Sequence, residues 1–327
     1  MTETSSMFRA RLLADVGGTN ARFAWQREPG APITDVHVLR CAEHESLQAA
    51  IHAYLRLIGQ AAPATAAIAI ANPVTGDEVR MTNHHWAFSQ RQVCDEFGFS
   101  TWRLINDFTA LALALPVLPA ADLRQVGGGI AQPGAPIGLV GAGTGLGVSG
   151  LLPDGRGGWI PLEGEGGHVT LPAQTPRERL VMDGLVRRYG HASAERVTSG
   201  QGLLDTFDLL CEADAADRAG IATAAEVTEA ALAGRHAQAV EALDIFCACL
   251  GSVAGNLALT LGARGGVFIG GGIVPRLGSA FERSSFRQRF EAKGRFQTFL
   301  SAIPVWVITS SQSPALMGVS RALDALS

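Results

Sequence analysis

The chain has 327 residues, 47% hydrophobic and 17% charged, which is enough for one large or two ordinary domains around a sizeable core. Its formal net charge is −4 and it carries no basic run or stripe, which argues against nucleic acid or an anionic membrane surface as the main partner. Lys293 is the only lysine and Gly294 follows it, so there is no Gly-Lys-Ser/Thr phosphate loop, and a Schiff-base mechanism would have to rest on that one residue.

Residues 1–7 are polar and lack the apolar stretch of a signal peptide; a short disordered tail is expected. Leu12, Leu13, Ala14 and Val16 then form a nearly unbroken apolar run that suits a buried strand. Asp15 interrupts it just before Gly17-Gly18. A carboxylate at the end of a buried strand must be hydrated, paired or placed on a metal. The glycines allow a tight turn that brings backbone N–H groups close to a ligand, Thr19 and Asn20 add short donors, and residues 21–25 return as a second strand. The tip of this hairpin can hold phosphate with Asp15 near a hydrated Mg²⁺; an ordinary hairpin with a buffered aspartate fits the same residues.

Strand and helix alternate from there. Residues 36–40 read as a short strand, 46–59 as a helix with Leu47, Ala50, Ile51, Tyr54, Leu55 and Ile58 on one side, and 65–71 as a buried strand stopped by Asn72-Pro73. His84-His85 invites a metal reading, but neighbours in a strand point to opposite faces. Ser89 is placed to cap a helix over 90–97. Residues 102–105 form an apolar strand ending in Asn106-Asp107, and 108–115 continue as a helix. A carboxylate between a strand end and a helix start suits catalysis, since the helix N-terminus favours its charged form and ligands bind at the carboxyl ends of strands in open α/β sheets. Asp107 as a plain helix cap is the competing explanation.

Residues 116–136, rich in Pro, Ala and Gly, are the best linker candidate. Residues 137–140 start a strand that runs into Gly141-Ala-Gly143-Thr144-Gly145-Leu146-Gly147, and 148–152 return, repeating the first hairpin. The dinucleotide fingerprint G-x-G-x-x-G does not fit, because its sixth position is Leu146 or Val148 depending on register. Gly164-Glu165-Gly166-Gly167-His168 is too glycine-rich for a helix and reads as a loop offering Glu165 and His168 to one ligand; a surface loop of incidental polarity is the alternative. Glu195 follows, then a helix from Ser199-Gly200 through Leu210, an Ala-rich charged helical stretch over 211–240, and a long apolar helix over 242–261 in which Gly251 and Gly255 would allow close packing. No run of about 18 apolar residues is free of a charge or breaker, so no membrane span is expected. The five cysteines, at 41, 94, 211, 247 and 249, are scattered; buried thiols in a reducing cytoplasm fit them better than a zinc site or disulfides. Residues 266–269 form a strand leading into Gly270-Gly271-Gly272, 303–308 a last strand, and 314–326 a C-terminal helix.

Two Gly/Thr hairpins, an Asn-Asp between them and a late strand followed by three glycines form a constellation that resembles the nucleotide-binding superfamily of actin, hexokinase and the heat-shock chaperones. Asp15-Val-Gly-Gly-Thr-Asn, Leu104-Ile-Asn-Asp-Phe-Thr-Ala, Gly141-Ala-Gly-Thr-Gly-Leu-Gly, Glu165-Gly-Gly-His, Ser193-Ala-Glu-Arg-Val and Gly266-Val-Phe-Ile-Gly-Gly-Gly-Ile-Val-Pro-Arg narrow it to a resemblance to the bacterial glucokinase family, from Leu12 to the C-terminal helix. The Cys-rich zinc motif usual in the related repressor/kinase sugar kinases is absent, so the zinc-free branch fits better.

The resemblance implies an α/β, two-domain actin-like/hexokinase (ribonuclease H-like) fold with an interdomain cleft: a small domain over 1–117, joined by a C-terminal helix within 309–327, and a large one over 118–308. It implies transfer of the ATP γ-phosphoryl group to the 6-hydroxyl of glucose, the opening step of glycolysis, in the cytoplasm, by a homodimer that binds neither nucleic acid nor membrane. Asp107 would be the general base, and Asn106, Asp107, Glu165, His168 and Glu195 would bind the sugar. Ala14, Asp15, Val16, Gly17, Gly18, Thr19, Asn20, Gly143, Thr144, Gly145, Gly270, Gly271 and Gly272 would hold ATP, with Asp15 reaching Mg²⁺ through water. A hexose presents many hydroxyls, so a selective site needs several converging partners, and phosphoryl transfer needs positioning and charge neutralisation more than a covalent nucleophile. Another hexose, another donor such as polyphosphate or ADP, and a sugar-responsive regulator without turnover remain open; the last has only about ten residues before the first strand for a DNA-binding module.

Overall fold

The computed structural model describes residues 9–82, 84–310 and 313–324; the tail expected over 1–7 and the last residues of the C-terminal helix expected to 326 lie outside them. The chain divides into two compact units, one formed by the sequence up to Leu118 together with the stretch from Ser310 on, the other by Pro119–Thr309.

The first unit is built on a five-stranded sheet. Its strands are β1 (Arg11–Val16), β2 (Asn20–Gln26), β3 (Ile33–Arg40), β4 (Thr65–Ile70) and β7 (Thr101–Asn106), in the order β3-β2-β1-β4-β7. β1 pairs antiparallel with β2 and parallel with β4, so its backbone is satisfied on both edges, and its side chains alternate between two covered faces. Leu12, Ala14 and Val16 meet Ile51, Tyr54 and Phe23 on the side of helix α1 (Leu47–Ile58). Leu13 belongs to the other face, with Ala67 and Ala69, under Ala110 of a later helix and Leu316, Val319 and Leu323 of the C-terminal helix (Pro314–Asp324). Asp15 follows Leu13 at a spacing of two and therefore projects to that second face. β5 (Glu78–Arg80) and β6 (Ala87–Ser89) form a small separate hairpin, and Ser89 caps helix α2 (Gln90–Phe97) by accepting from the Gln92 N–H. His84-His85 lies outside those strands, with ring centroids 4.2 Å apart, so the opposite-faces argument against a shared ligand does not apply there. Helix α3 (Asp107–Ala114) leads directly off β7.

The second unit repeats the plan. β9 (Ile137–Ala142), β10 (Leu146–Pro153) and β11 (Trp159–Leu162) form an antiparallel meander, and β12 (Val267–Gly270) and β13 (Val305–Ile308) add parallel strands, giving β11-β10-β9-β12-β13. A sixth strand, β8 (Leu123–Val126), pairs antiparallel with β13. It lies inside the stretch expected to be a linker: the Pro and Gly residues flank Leu123–Val126, whose buried Val126 joins the core.

Helices α4 (Pro176–Tyr189), α5 (Gly200–Asp214), α6 (Ala224–Leu232) and α7 (Ala237–Leu261) carry the core of this unit. α5 runs past the expected stop at Leu210, the stretch over 211–240 is broken between helices, and α7 begins before residue 242. By length and composition alone α7 could cross a membrane, but Glu241 and Asp244 lie within it and 78% of its most apolar window is buried within the protein. Cβ atoms at Gly251 and Gly255 would stand 2.3 Å from the Phe286 carbonyl oxygen and 2.5 Å from that of Phe290, so these glycines do set the approach of a neighbouring helix. All five cysteines are free; four are buried and Cys94 is half-buried.

Candidate active site

In the first unit the β1–β2 hairpin pairs Val16 with Ala21, leaving residues 17–20 as its tip. The Gly17 N–H closes the tip onto the Asn20 carbonyl at 2.9 Å, and the Cys41 N–H donates to the Thr19 carbonyl at 2.9 Å. Thr19 and Asn20 are exposed, and Gly17 and Gly18 partly so. Ala14 and Val16 are fully buried within the paired strand, and the Val16 carbonyl accepts from the Ala71 N–H.

Asp15 is opposite Arg22 in register, and opposite charges on facing strand positions attract. Arg22 Nη1 donates to Asp15 Oδ2 at 3.2 Å, and the Ser313 hydroxyl donates to the same oxygen from the start of the C-terminal helix. Among the described residues one carboxylate oxygen is thereby engaged and the other has no hydrogen-bond partner. The sequence reading missed both partners. Hairpin arithmetic could have found Arg22, but nothing local points to Ser313, 298 positions away.

Asn106 and Asp107 occupy the junction of β7 and α3. Asn106, not Asp107, is the helix cap: its Oδ1 accepts from the Phe108 N–H at 2.9 Å and the Thr109 N–H at 3.2 Å. Asp107 is the first helical residue. Its Oδ1 accepts from the Phe108 N–H at 2.8 Å and from Asn106 Nδ2 at 3.1 Å. Burial first, and then the negative charge of Asp15, push the Asp107 carboxyl up to about 6, against the lowering effect of those hydrogen bonds. A carboxylate so placed is ionised at neutral pH yet basic enough to take a proton.

In the second unit β9 and β10 pair Ala142 with Leu146, so Gly143-Thr144-Gly145 is the tip and Thr144 is exposed. Gly270 is opposite Gly141 in the β9–β12 ladder, and the turn after it folds over the first tip. Gly271, at φ 81°, has its Cβ position 2.2 Å from the Ala142 carbonyl oxygen, which only glycine tolerates. The two glycine turns thus form one backbone-lined corner. Glu165 and His168 are exposed on the adjoining segment, where Gly166–His168 forms a 3₁₀ turn in place of the expected irregular loop. Gly166 and Gly167 allow it because Cβ atoms there would strike Val148 and the Leu146 carbonyl. Glu195 reaches the same corner: its Oε2 accepts from the Leu146 N–H at 3.0 Å. The second unit therefore groups Gly143–Gly145, Gly270–Gly272, Glu165, His168 and Glu195, and the first groups Asp15, residues 17–20, Asn106 and Asp107.

Among the described residues no group of three His, Cys, Asp or Glu side chains is arranged to hold a metal ion. Mg²⁺ does not require one, because it is commonly held by one or two carboxylates, substrate phosphates and water. An Asp15 carboxylate with one oxygen anchored and one free fits that donor set.

The family model for glucokinase matches residues 12–326. A glucokinase of Aromatoleum aromaticum is 53% identical over 315 residues, covering 96% of this chain and 94% of that protein. One of Chromobacterium violaceum is 54% identical over 313 residues, covering 96% and 89%. The crystal structure of a glucokinase from an Antarctic psychrotroph superposes with a TM-score of 0.88 at 33% identity, over 97% of this chain and 99% of that one. These matches span both sheets and every residue of the two groupings, and on them the chain belongs to the glucokinase family.

Proposed function

We infer that the protein is an ATP-dependent glucokinase, in which Asp107 takes the proton of the sugar 6-hydroxyl as the oxygen attacks the γ-phosphorus. The observation that carries this is the Asp107 carboxylate, half-buried at the head of α3 close to the charge of Asp15 and raised to about 6. A proton acceptor tuned near neutrality beside a phosphate-binding hairpin is what phosphoryl transfer to an alcohol needs.

The remaining roles are those that the family resemblance implies, and the chemistry of the residues supports them. Asn106, Glu165, His168 and Glu195 bind the other sugar hydroxyls, each as an acceptor or donor whose unpaired state would cost about 1–3 kcal/mol. The turns at residues 17–20, Gly143–Gly145 and Gly270–Gly272 orient ATP with no lysine, through the backbone N–H groups that are not spent in closing the turns, as nest-like turns can. Asp15 would hold hydrated Mg²⁺, whose contribution when bound is neutralisation of charge on the phosphates. The enzyme works in the cytoplasm as a homodimer; light scattering coupled to gel filtration checks the assembly.

A coupled assay across sugars and donors tests the function. Purified protein should form glucose 6-phosphate and ADP from glucose and ATP, lose turnover with chelator, and regain it with Mg²⁺. No sugar phosphate from glucose alongside fast turnover of another hexose would overturn the substrate assignment. Turnover with polyphosphate but not ATP would overturn the donor.

A further inference from the structure

The Gly143–Gly145 tip is held largely by what is laid against it. The Gly143 N–H donates to the Gly145 carbonyl at 2.8 Å, and the Gly200 N–H, at the start of α5, donates to the Gly143 carbonyl at 2.9 Å. The next N–H along, that of Leu146, is taken by Glu195 Oε2 at 3.0 Å. A Cβ on Gly145 would stand 2.5 Å from that oxygen, so the missing side chain is what admits the carboxylate. Glu195 is fixed in turn: its own N–H donates to the Gly167 carbonyl at 2.9 Å, and a Cβ on Gly167 would stand 2.0 Å from the Leu146 carbonyl oxygen. Residues 145–146, 167 and 195 close a ring in which the one side-chain member is a carboxylate. A hydrogen bond from a backbone N–H to a charged acceptor is among the stronger ones, and losing the acceptor leaves the donor unpaired.

We propose that Glu195 is a positioning residue for the nucleotide-binding tip. One of its oxygens braces the tip through the Leu146 N–H while the other serves a sugar hydroxyl, so that a single side chain couples the two substrates. This rests on the sugar and nucleotide roles assigned above. With the brace in place, the tip that carries the Thr144 and Gly145 N–H groups is held as phosphate needs it; without it the tip must be ordered at the expense of binding. A hydroxyl that orients the carboxylate from its other side helps hold it against Leu146, and coupling between two ligands is reciprocal by thermodynamic necessity.

The test compares Glu195→Gln, Glu195→Asp and Glu195→Ala. The glutamine carbonyl can still accept from Leu146, the aspartate is one methylene short, and alanine has no acceptor. In calorimetric titrations with Mg²⁺ and ATP but no sugar, Glu195→Ala and Glu195→Asp should weaken ATP binding about tenfold, whereas Glu195→Gln stays within about threefold of the parent. All three should weaken glucose. Hydrogen exchange at the Leu146 amide should accelerate at least about tenfold in the alanine and aspartate variants and stay near the parent rate with glutamine. Unchanged ATP affinity and unchanged Leu146 exchange in a folded Glu195→Ala protein would overturn the brace. Should alanine not fold, the aspartate variant decides by the same two readouts. If the parent protein forms no sugar phosphate yet Glu195→Ala loses ATP affinity and amide protection, the brace stands and the glucokinase reading falls.

Discussion

Asp107 carries its consequences in its protonation. Its folded value of about 6 lies above the ordinary 3.8, so the folded protein favours the neutral acid. That contribution is complete below 3.8 and is lost as pH rises through about 6, at a cost of about 3 kcal/mol once the group is ionised. Asp107→Asn, which stays neutral, should therefore unfold at higher denaturant than the parent at pH 8, with the gap closing toward pH 4. The same variant should lose roughly 10²–10⁴ in kcat with glucose still bound, and the parent kcat/KM should rise with pH through about 6. Near-normal turnover, or a flat profile between pH 5 and 7, would remove Asp107 as the base. Ser313 acts on Asp15 across the whole length of the chain. Losing one hydroxyl donor to a charged acceptor, Ser313→Ala should raise the KM for ATP at fixed Mg²⁺ by about tenfold, and Ser313→Thr should restore it. Equal KM values in both variants and the parent would leave Ser313 with no part in holding Asp15.

At the scale of elements, the second face of the first sheet depends on small residues. Ala67 and Ala69 on β4 and Ala110 on α3 leave room for the C-terminal helix, and Gly318 packs directly against α3. A Cβ there would stand 1.7 Å from the Ala110 carbonyl oxygen, backbone that cannot swing aside. Gly318→Ala should thus destabilise by roughly 1–3 kcal/mol although alanine is the better helix former, seen as a fall in Tm of several degrees. A rise in Tm would mean that propensity outweighs packing at this contact. Because Asp107 heads α3 and Ser313 precedes the C-terminal helix, this contact also sets where both stand near Asp15.

For the whole molecule, the consequence lies in the chain path. The second unit is one continuous stretch, Pro119–Thr309, with its own core, whereas the first needs the segment from Ser310 on to cover Leu13, Ala67 and Ala69. A chain ended after Thr309 should lose protease resistance over residues 9–118 and leave a resistant fragment near 119–309, readable by mass spectrometry. Equal resistance of the two parts would show that the returning helix is dispensable.

Local chemistry made much of this legible in advance. The apolar run of Leu12–Val16 broken by Asp15, the paired glycines at 17–18, the strand end at Asn106-Asp107 and the Gly143–Gly145 tip are short-range patterns, and hairpins and helix starts are decided at that range. Where the sequence reading went astray, partners far along the chain had the deciding vote. Leu123–Val126 became a strand because β13 offers it an edge. The engagement of Ser313 with Asp15 and of Glu195 with Leu146 has no local signature, since each joins groups that only the folded backbone brings within hydrogen-bonding distance. Sequence spacing specified which residues could do the chemistry; long-range packing decided which atoms hold them in place.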